Sequence, residues 1–220
     1  MPQRHASDSS IRRLSLYLRQ LEHLAEEGTD RVSSRRLAED LHIGDHLVRK
    51  DLASFGQFGR PGIGYDVRKL IKSLKGILGT NRTWRVVLIG AGALGTALLR
   101  YQEFRQKGFH IVAAFDVDPA RVGQSIGEVP VHHVDELQKV VRQKRVKLAI
   151  LAVPAGHAQT AAENARAAGV WGILNLAPAT LECPPDLAVN RMDLTAHLEQ
   201  LSFQVSSANG KRARNGKPRS

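Results

Sequence analysis

The feature that most narrows the fold is Gly90-Ala91-Gly92-Ala93-Leu94-Gly95. It follows Arg85-Val86-Val87-Leu88-Ile89, a short run whose unbroken apolar core predicts a strand buried on both faces. A helical segment is expected to follow, to about Lys107. A G-x-G-x-x-G turn between strand and helix has a physical reading at each glycine. Gly90 permits the tight turn, Gly92 lets the backbone approach a pyrophosphate, and Gly95 allows close helix–sheet packing. Ala91, Ala93 and Leu94 complete the cradle, and the amides opening the helix bind the phosphates.

The next strand, His110–Phe115, is followed by Asp116, which lies 21 residues after Gly95. An acid there accepts hydrogen bonds from an adenine-ribose diol and repels a 2′-phosphate, so the expected ligand is NADH or NAD+ rather than the phosphorylated dinucleotides. Asp118, ahead of Pro119, reads as a turn residue. Further apolar strands at Leu148–Val153 and Trp171–Leu176 alternate with helical segments. That grammar implies a parallel sheet covered on both faces.

Charge separates this half from the rest. The chain of 220 residues carries a formal +11, which suggests a polyanionic partner. Residues 1–85 hold +6, residues 86–205 are neutral, and residues 206–220 hold +5. In the basic N-terminal third, Ile11, Leu14, Leu18, Leu21 and Leu24 recur at helical spacing until Gly28 stops the run. Ser33 or Ser34 can cap a second helix, and Asp45 a third with Leu47, Val48, Leu52 and Phe55 on one face. Another helix spans Val67 to Leu78, ahead of a Gly79-Thr80-Asn81 linker. Between them lies a Gly-rich hairpin, so the pattern is a winged helix-turn-helix.

In that architecture the third helix reads bases. Arg49 and Lys50 lie off its apolar face and can donate to guanine O6 and N7, while Ser33 and Ser34 can hold a phosphate. Phe58-Gly59-Arg60-Pro61-Gly62-Ile63-Gly64-Tyr65 is the wing, with Arg60 placed for a minor groove.

These residues resemble the redox-sensing transcriptional repressors called Rex. Val48-Arg49-Lys50-Asp51-Leu52, Phe55-Gly56, Phe58-Gly59 and Gly62-Ile63-Gly64-Tyr65 are similar to that family's winged-helix signature. The glycine turn and Ala114-Phe115-Asp116-Val117-Asp118-Pro119 resemble its dinucleotide half. Gly172-Ile173-Leu174-Asn175-Leu176-Ala177-Pro178 and Leu201-Ser202-Phe203 resemble its C-terminal part. The likeness covers about residues 11–205. It implies a homodimer with C-terminal helices exchanged between subunits, bound to double-stranded operator DNA carrying an inverted repeat and released when NADH binds; a cytoplasmic location is expected from the cysteine usage instead. Gly62, Gly64 and Tyr65 join Arg60 as DNA-binding positions on the wing. By local match, Arg13 resembles the cation linking the DNA-binding and nucleotide domains. Tyr101 and Asp193 resemble polar switch partners near the nicotinamide; Asp193 also reads as the N-cap of the final helix. Pro61 departs from the pattern, which has a basic residue before the glycine; either Arg60 takes over or the minor-groove contact is weaker.

The expected organisation is α/β. Residues 1–10 are disordered, 11–80 form the winged-helix domain, and 81–193 form a Rossmann-type parallel-sheet domain. A dimerisation helix over 194–205 and a basic, disordered tail over 206–220 follow. An enzyme is disfavoured, because only about forty residues follow Asn175-Leu176-Ala177-Pro178, too few for a substrate domain. The nine histidines show no metal-ligand spacing, and Cys183, the only cysteine, has no neighbouring base. A single cysteine rules out an internal disulfide and fits a reducing compartment. No apolar run approaches the roughly 18 residues of a membrane helix, and the N-terminus lacks the apolar stretch of a signal peptide.

Overall fold

The computed structural model describes residues 7–60 and 62–215, and the chain divides into two compact units between Thr83 and Trp84. In the first, helix α1 (Asp8–Glu26) is followed by β1 (Arg31–Val32), α2 (Ser34–Asp40) and α3 (Asp45–Phe55). The hairpin strands β2 (Gly59–Arg60) and β3 (Gly64–Asp66) then lead into α4 (Val67–Ile77). The strands form an antiparallel sheet in the order β1-β3-β2. Leu14, Leu18, Leu21 and Leu24 line one stripe of α1 and pack with Leu37, Val48, Leu52, Leu70 and Leu74 in one core. Burying those four leucines contributes about 8 kcal/mol gross, at about 2 kcal/mol each. This is the expected winged helix-turn-helix.

Two ends differ from expectation. Helix α1 starts at Asp8 rather than Ile11, because the Ser7 hydroxyl caps it by accepting from the Ser10 amide. Helix α3 is capped by Gly44, which makes no side-chain cap bond, and Asp45 is its first helical residue. The side chains of Arg60 and Pro61, and with them the minor-groove reading, lie outside the described residues.

The second unit opens with β4 (Trp84–Ile89), α5 (Ala93–Leu99), α6 (Glu103–Gln106) and β5 (Phe109–Asp116). A hairpin of β6 (Ser125–Ile126) and β7 (Val129–His133) precedes α7 (Leu137–Gln143), β8 (Leu148–Leu151) and α8 (Ala155–Ala168). The chain continues through β9 (Gly172–Asn175), β10 (Ala188–Arg191) and α9 (Leu194–Asn215). Seven strands run in the order β10-β9-β8-β4-β5-β7-β6, all parallel except β6 against β7. Without the β6 edge this is the Rossmann order 3-2-1-4-5-6, whose direction of progression reverses between β4 and β8. Apolar residues of the strands pack on both faces, into one cluster with Val140, Ala162 and Ala165 of α7 and α8 and another with Leu98 and Phe104.

Several boundaries are corrected. The single helix expected to Lys107 is two, α5 and α6, separated by Arg100-Tyr101-Gln102. Strands β6, β7 and β10 carried no long apolar run and were not expected; β7 includes His132 and His133. Every residue of β10 is exposed. Helix α9 continues to Asn215, so the stretch from Ser206 is helical rather than disordered, and the rest of the basic tail lies outside the described residues.

Candidate nucleic-acid interface and dinucleotide site

Helix α3 buries Val48, Asp51 and Leu52 and leaves Arg49 and Lys50 exposed, as period 3.6 demands. Arg49 Nη1 donates to Asp45 Oδ2 at 2.5 Å and to Ser34 Oγ at 3.2 Å. Its charge also reaches Tyr65, whose hydroxyl is pushed above its ordinary value by burial and drawn down by Arg49. Ser34, Arg49 and Tyr65, far apart in sequence, therefore converge. Ser33 serves as the α2 N-cap, accepting from the Arg36 amide at 3.1 Å. Gly64 has φ +78°, and a Cβ there would lie 2.5 Å from the Val32 carbonyl oxygen, so its task is to let β1 and β3 approach. Gly62, at φ +76°, makes the wing turn.

Arg13 has a partner inside its own unit. Its Nε and Nη2 donate to the Asp51 carboxylate at 2.5 and 2.7 Å, within the N-terminal unit. Tyr17 donates its hydroxyl to the same carboxylate at 2.8 Å, and Ser10 adds a bond at 3.2 Å. Asp51 and Tyr17 are buried, so this cluster ties α1 to the back of α3. Burial alone pushes the Asp51 carboxyl up, but the bonds from Arg13 and Tyr17 outweigh it and hold it below the usual carboxylate range. Burial, reinforced by Asp51, raises the Tyr17 phenol. Sequence reasoning saw Asp51 only as part of a signature; its placement on the apolar face of α3 was the available sign of a buried partner.

The glycine turn lies at the C-terminal end of β4, beside the strand-order reversal. Gly90 has φ +98°, and a Cβ there would lie 2.5 Å from the Ala152 carbonyl oxygen. A Cβ on Gly95 would lie 2.0 Å from the Gly90 carbonyl oxygen. A Cβ on Gly92, by contrast, meets nothing within 4 Å. Two glycines thus serve packing, and the middle one faces open space where α5 begins without a side-chain cap. The first-turn amides of a helix have no intrahelical acceptor, so those of Ala93 and Leu94 are available to an anion. The turn fits a dinucleotide pyrophosphate.

Asp116 has a structural task at the end of β5. It is buried, and it accepts from the backbone amides of Ala91 and Val117 at 2.8 Å and of Asp118 at 3.0 Å. Arg121 Nη1 stands 3.4 Å away. Burial pushes the carboxyl up, but the amides of Asp118 and Ala91, with Arg121, hold it below its ordinary value. A carboxylate has about four acceptor positions, and backbone amides take three. Asp116 therefore braces the glycine turn against β5 before it offers anything to a ribose.

Among the described residues no hydrogen bond joins Tyr101 to Asp193. Tyr101 lies past the C-terminal end of α5, away from the glycine turn, exposed and edge-on to Phe104. Asp193 pairs with Arg191 at 2.6 Å and accepts from the Ala196 amide at 3.1 Å, capping α9 as the sequence suggested. Leu194, Leu198, Leu201, Phe203 and Val205 of α9 are exposed. Among the described residues no cluster of His, Cys, Asp and Glu could hold a metal, and no helix is long and apolar enough to cross a membrane.

A winged helix with a cationic reading face, joined in one chain to a Rossmann sheet with an open glycine turn, defines a ligand-responsive DNA-binding regulator. Comparison with known proteins agrees in both halves. A family model described as "Putative DNA-binding protein N-terminus" matches residues 6–53, and one described as "CoA binding domain" matches residues 81–179. The redox-sensing transcriptional repressor Rex of Chloroflexus aggregans is 46% identical over 199 residues, covering 90% of this chain and 94% of the relative. That of Carboxydothermus hydrogenoformans is 46% identical, covering 90% and 95%. The crystal structure of RSP in complex with β-NAD+ and operator DNA matches with a TM-score of 0.89, 32% identity, and coverage of 99% of this chain and all of the other. RSP in complex with β-NADH matches at 0.86 and 31% identity, covering 96% and 99%. The chain belongs to the Rex family of redox-sensing transcriptional repressors, which are regulators and not enzymes.

Proposed function

We propose that this chain represses transcription as a homodimer on an inverted-repeat operator in the cytoplasm, and leaves the DNA when NADH occupies the Rossmann unit. The observation that carries the reading is the pairing, in one chain, of exposed Arg49 and Lys50 on α3 with open space above Gly92 at the start of α5. Arg49 and Lys50 donate to base edges, while Ser33, Ser34 and the wing hold the phosphate backbone. Ala93 and Leu94 offer amides to the pyrophosphate, and Asp116 keeps their turn in place. When bound, the dinucleotide supplies a ring that is neutral when reduced and cationic when oxidised. An apolar pocket around that ring costs the cationic form its solvation, which favours NADH. The exposed apolar residues of α9 supply the contact between subunits, through which Tyr101 of one chain can face Asp193 of the other.

Release requires only that NADH bind the DNA-free arrangement better than the DNA-bound one. A 100-fold difference shifts that equilibrium by about 2.7 kcal/mol. The test is an electrophoretic mobility shift with an inverted-repeat DNA pool, titrated in turn with NADH, NAD+ and NADPH. Release by NADH at concentrations where NAD+ leaves the complex intact is the expected result. Arg49→Ala and Lys50→Ala should each abolish the shifted band and leave NADH affinity unchanged. Retained operator binding in both variants overturns the assignment of α3.

A further inference from the structure

Helix α3 carries two carboxylates with opposite surroundings. Asp51 is buried and neutralised by Arg13, whereas Asp45 stands on the exposed face with Arg49, one turn away at i,i+4. A carboxylate on a face that meets DNA opposes the phosphates, so Asp45 works against general DNA affinity. Nor does it add much to the fold, because an exposed i,i+4 pair is a weak source of stability. Its clearest effect is on Arg49. Asp45 Oδ2 and Ser34 Oγ together hold Nη1, while Nε and Nη2 make no hydrogen bond among the described residues. The free Nε–Nη2 edge is the fork that matches guanine O6 and N7. Released from Asp45, the same guanidinium could swing to a phosphate, which is present at every step of the duplex and carries no sequence information.

We propose that Asp45 is a specificity-determining positioning residue: it aims the Arg49 guanidinium at a base edge and disfavours its use on phosphate. This rests on the reading of α3 as the recognition helix. The hydrogen bond to Arg49 is also what holds the Asp45 carboxyl below its ordinary value, so the residue is charged wherever the protein binds DNA near neutral pH.

The experiment measures binding to the operator and to a scrambled duplex by fluorescence anisotropy across a salt series. Variants are Asp45→Asn, Asp45→Glu, Arg49→Ala and the double change of Asp45→Asn with Arg49→Ala. Asp45→Asn should tighten binding to the scrambled duplex and lower the operator-to-scrambled ratio about tenfold. Its log K against log salt slope on the scrambled duplex should steepen by about 0.9, one added phosphate contact. Asp45→Glu, which keeps a carboxylate within reach of i+4, should restore most of the ratio. If Asp45→Asn lowers helicity, Asp45→Ser keeps a helix-starting residue and carries the same expectation. A ratio within twofold of the parent overturns the proposal. So does an equal tightening on the scrambled duplex when Asp45→Asn is placed on Arg49→Ala, since Asp45 would then act without Arg49. Full operator binding by Arg49→Ala would instead sink the reading of Arg49 as a base-reading residue, so the two failures are separable.

Discussion

Replacing Arg13 by Met should cost the N-terminal unit about 3 kcal/mol. The thioether side chain keeps an apolar stem of similar reach, so packing changes little and the missing charge dominates. Breaking a buried ion pair from one side costs about 3–5 kcal/mol, because the remaining charge is left uncompensated. Here the low end applies: Asp51 keeps its bonds from Tyr17 and Ser10, and the Arg13 side chain is already 22% exposed. The assay is urea unfolding followed by two signals. Both tryptophans, Trp84 and Trp171, belong to the second unit, so their fluorescence reports that unit alone. Circular dichroism at 222 nm reports helices of both. With a urea m-value of about 1 kcal/mol per molar for a unit this small, the first-unit transition should move down by about 3 M while the tryptophan transition stays in place. Acid sensitivity follows by linkage. The folded pKa of Asp51 is depressed, so its stabilisation is present above its unfolded value of about 3.9 and is lost as pH falls through the folded value. Without Arg13 that depression shrinks, and the acid unfolding midpoint of the first unit should rise. Adding Asp51→Asn to Arg13→Met should recover part of the loss, since the orphaned charge is gone. A shift below about 0.5 kcal/mol, or equal movement of both signals, would falsify the brace between α1 and α3.

The glycine turn makes a paired prediction: Gly95→Ala should destabilise the second unit by about 1–3 kcal/mol, because its Cβ meets the Gly90 carbonyl oxygen, whereas Gly92→Ala should leave the melt unchanged and weaken NADH in calorimetry. Equal effects on stability would refute the division of roles. Asp116→Asn should blunt NADH-driven release while leaving operator binding intact, because the turn loses a charged brace; undiminished release in a mobility shift would remove Asp116 from the ligand response. Leu198→Glu with Phe203→Glu should convert the dimer to monomer in light scattering and weaken operator binding. A dimer surviving both charges would move the subunit contact away from α9.

Local patterns carried much of this protein. The apolar run before Gly90, the alternation of strands and helices, and the heptad-like leucines of α1 each act within one element, where backbone geometry and burial are set by near neighbours. The glycines were equally legible, since a positive φ or a Cβ clash is a local demand. Helix ends were less so, because Ser7 and Ser10 could cap a helix that periodicity began at Ile11. Strands β7 and β10 were missed because half-buried or exposed strands carry mixed polarity, and their pairing partners are distant in the chain.

What the amino-acid order determined alone was the succession of a basic winged helix and a glycine-turn Rossmann unit, together with the residue types each turn and buried face requires. Only the tertiary structure decided where the charges go. Arg13 and Asp51 are 38 residues apart, and Asp116 and Ala91 are 25 apart. Arg49 finds Ser34 across a helix-turn-helix. A charge is satisfied by whatever the fold brings within about 3 Å, and that distance is set by packing rather than by position along the chain.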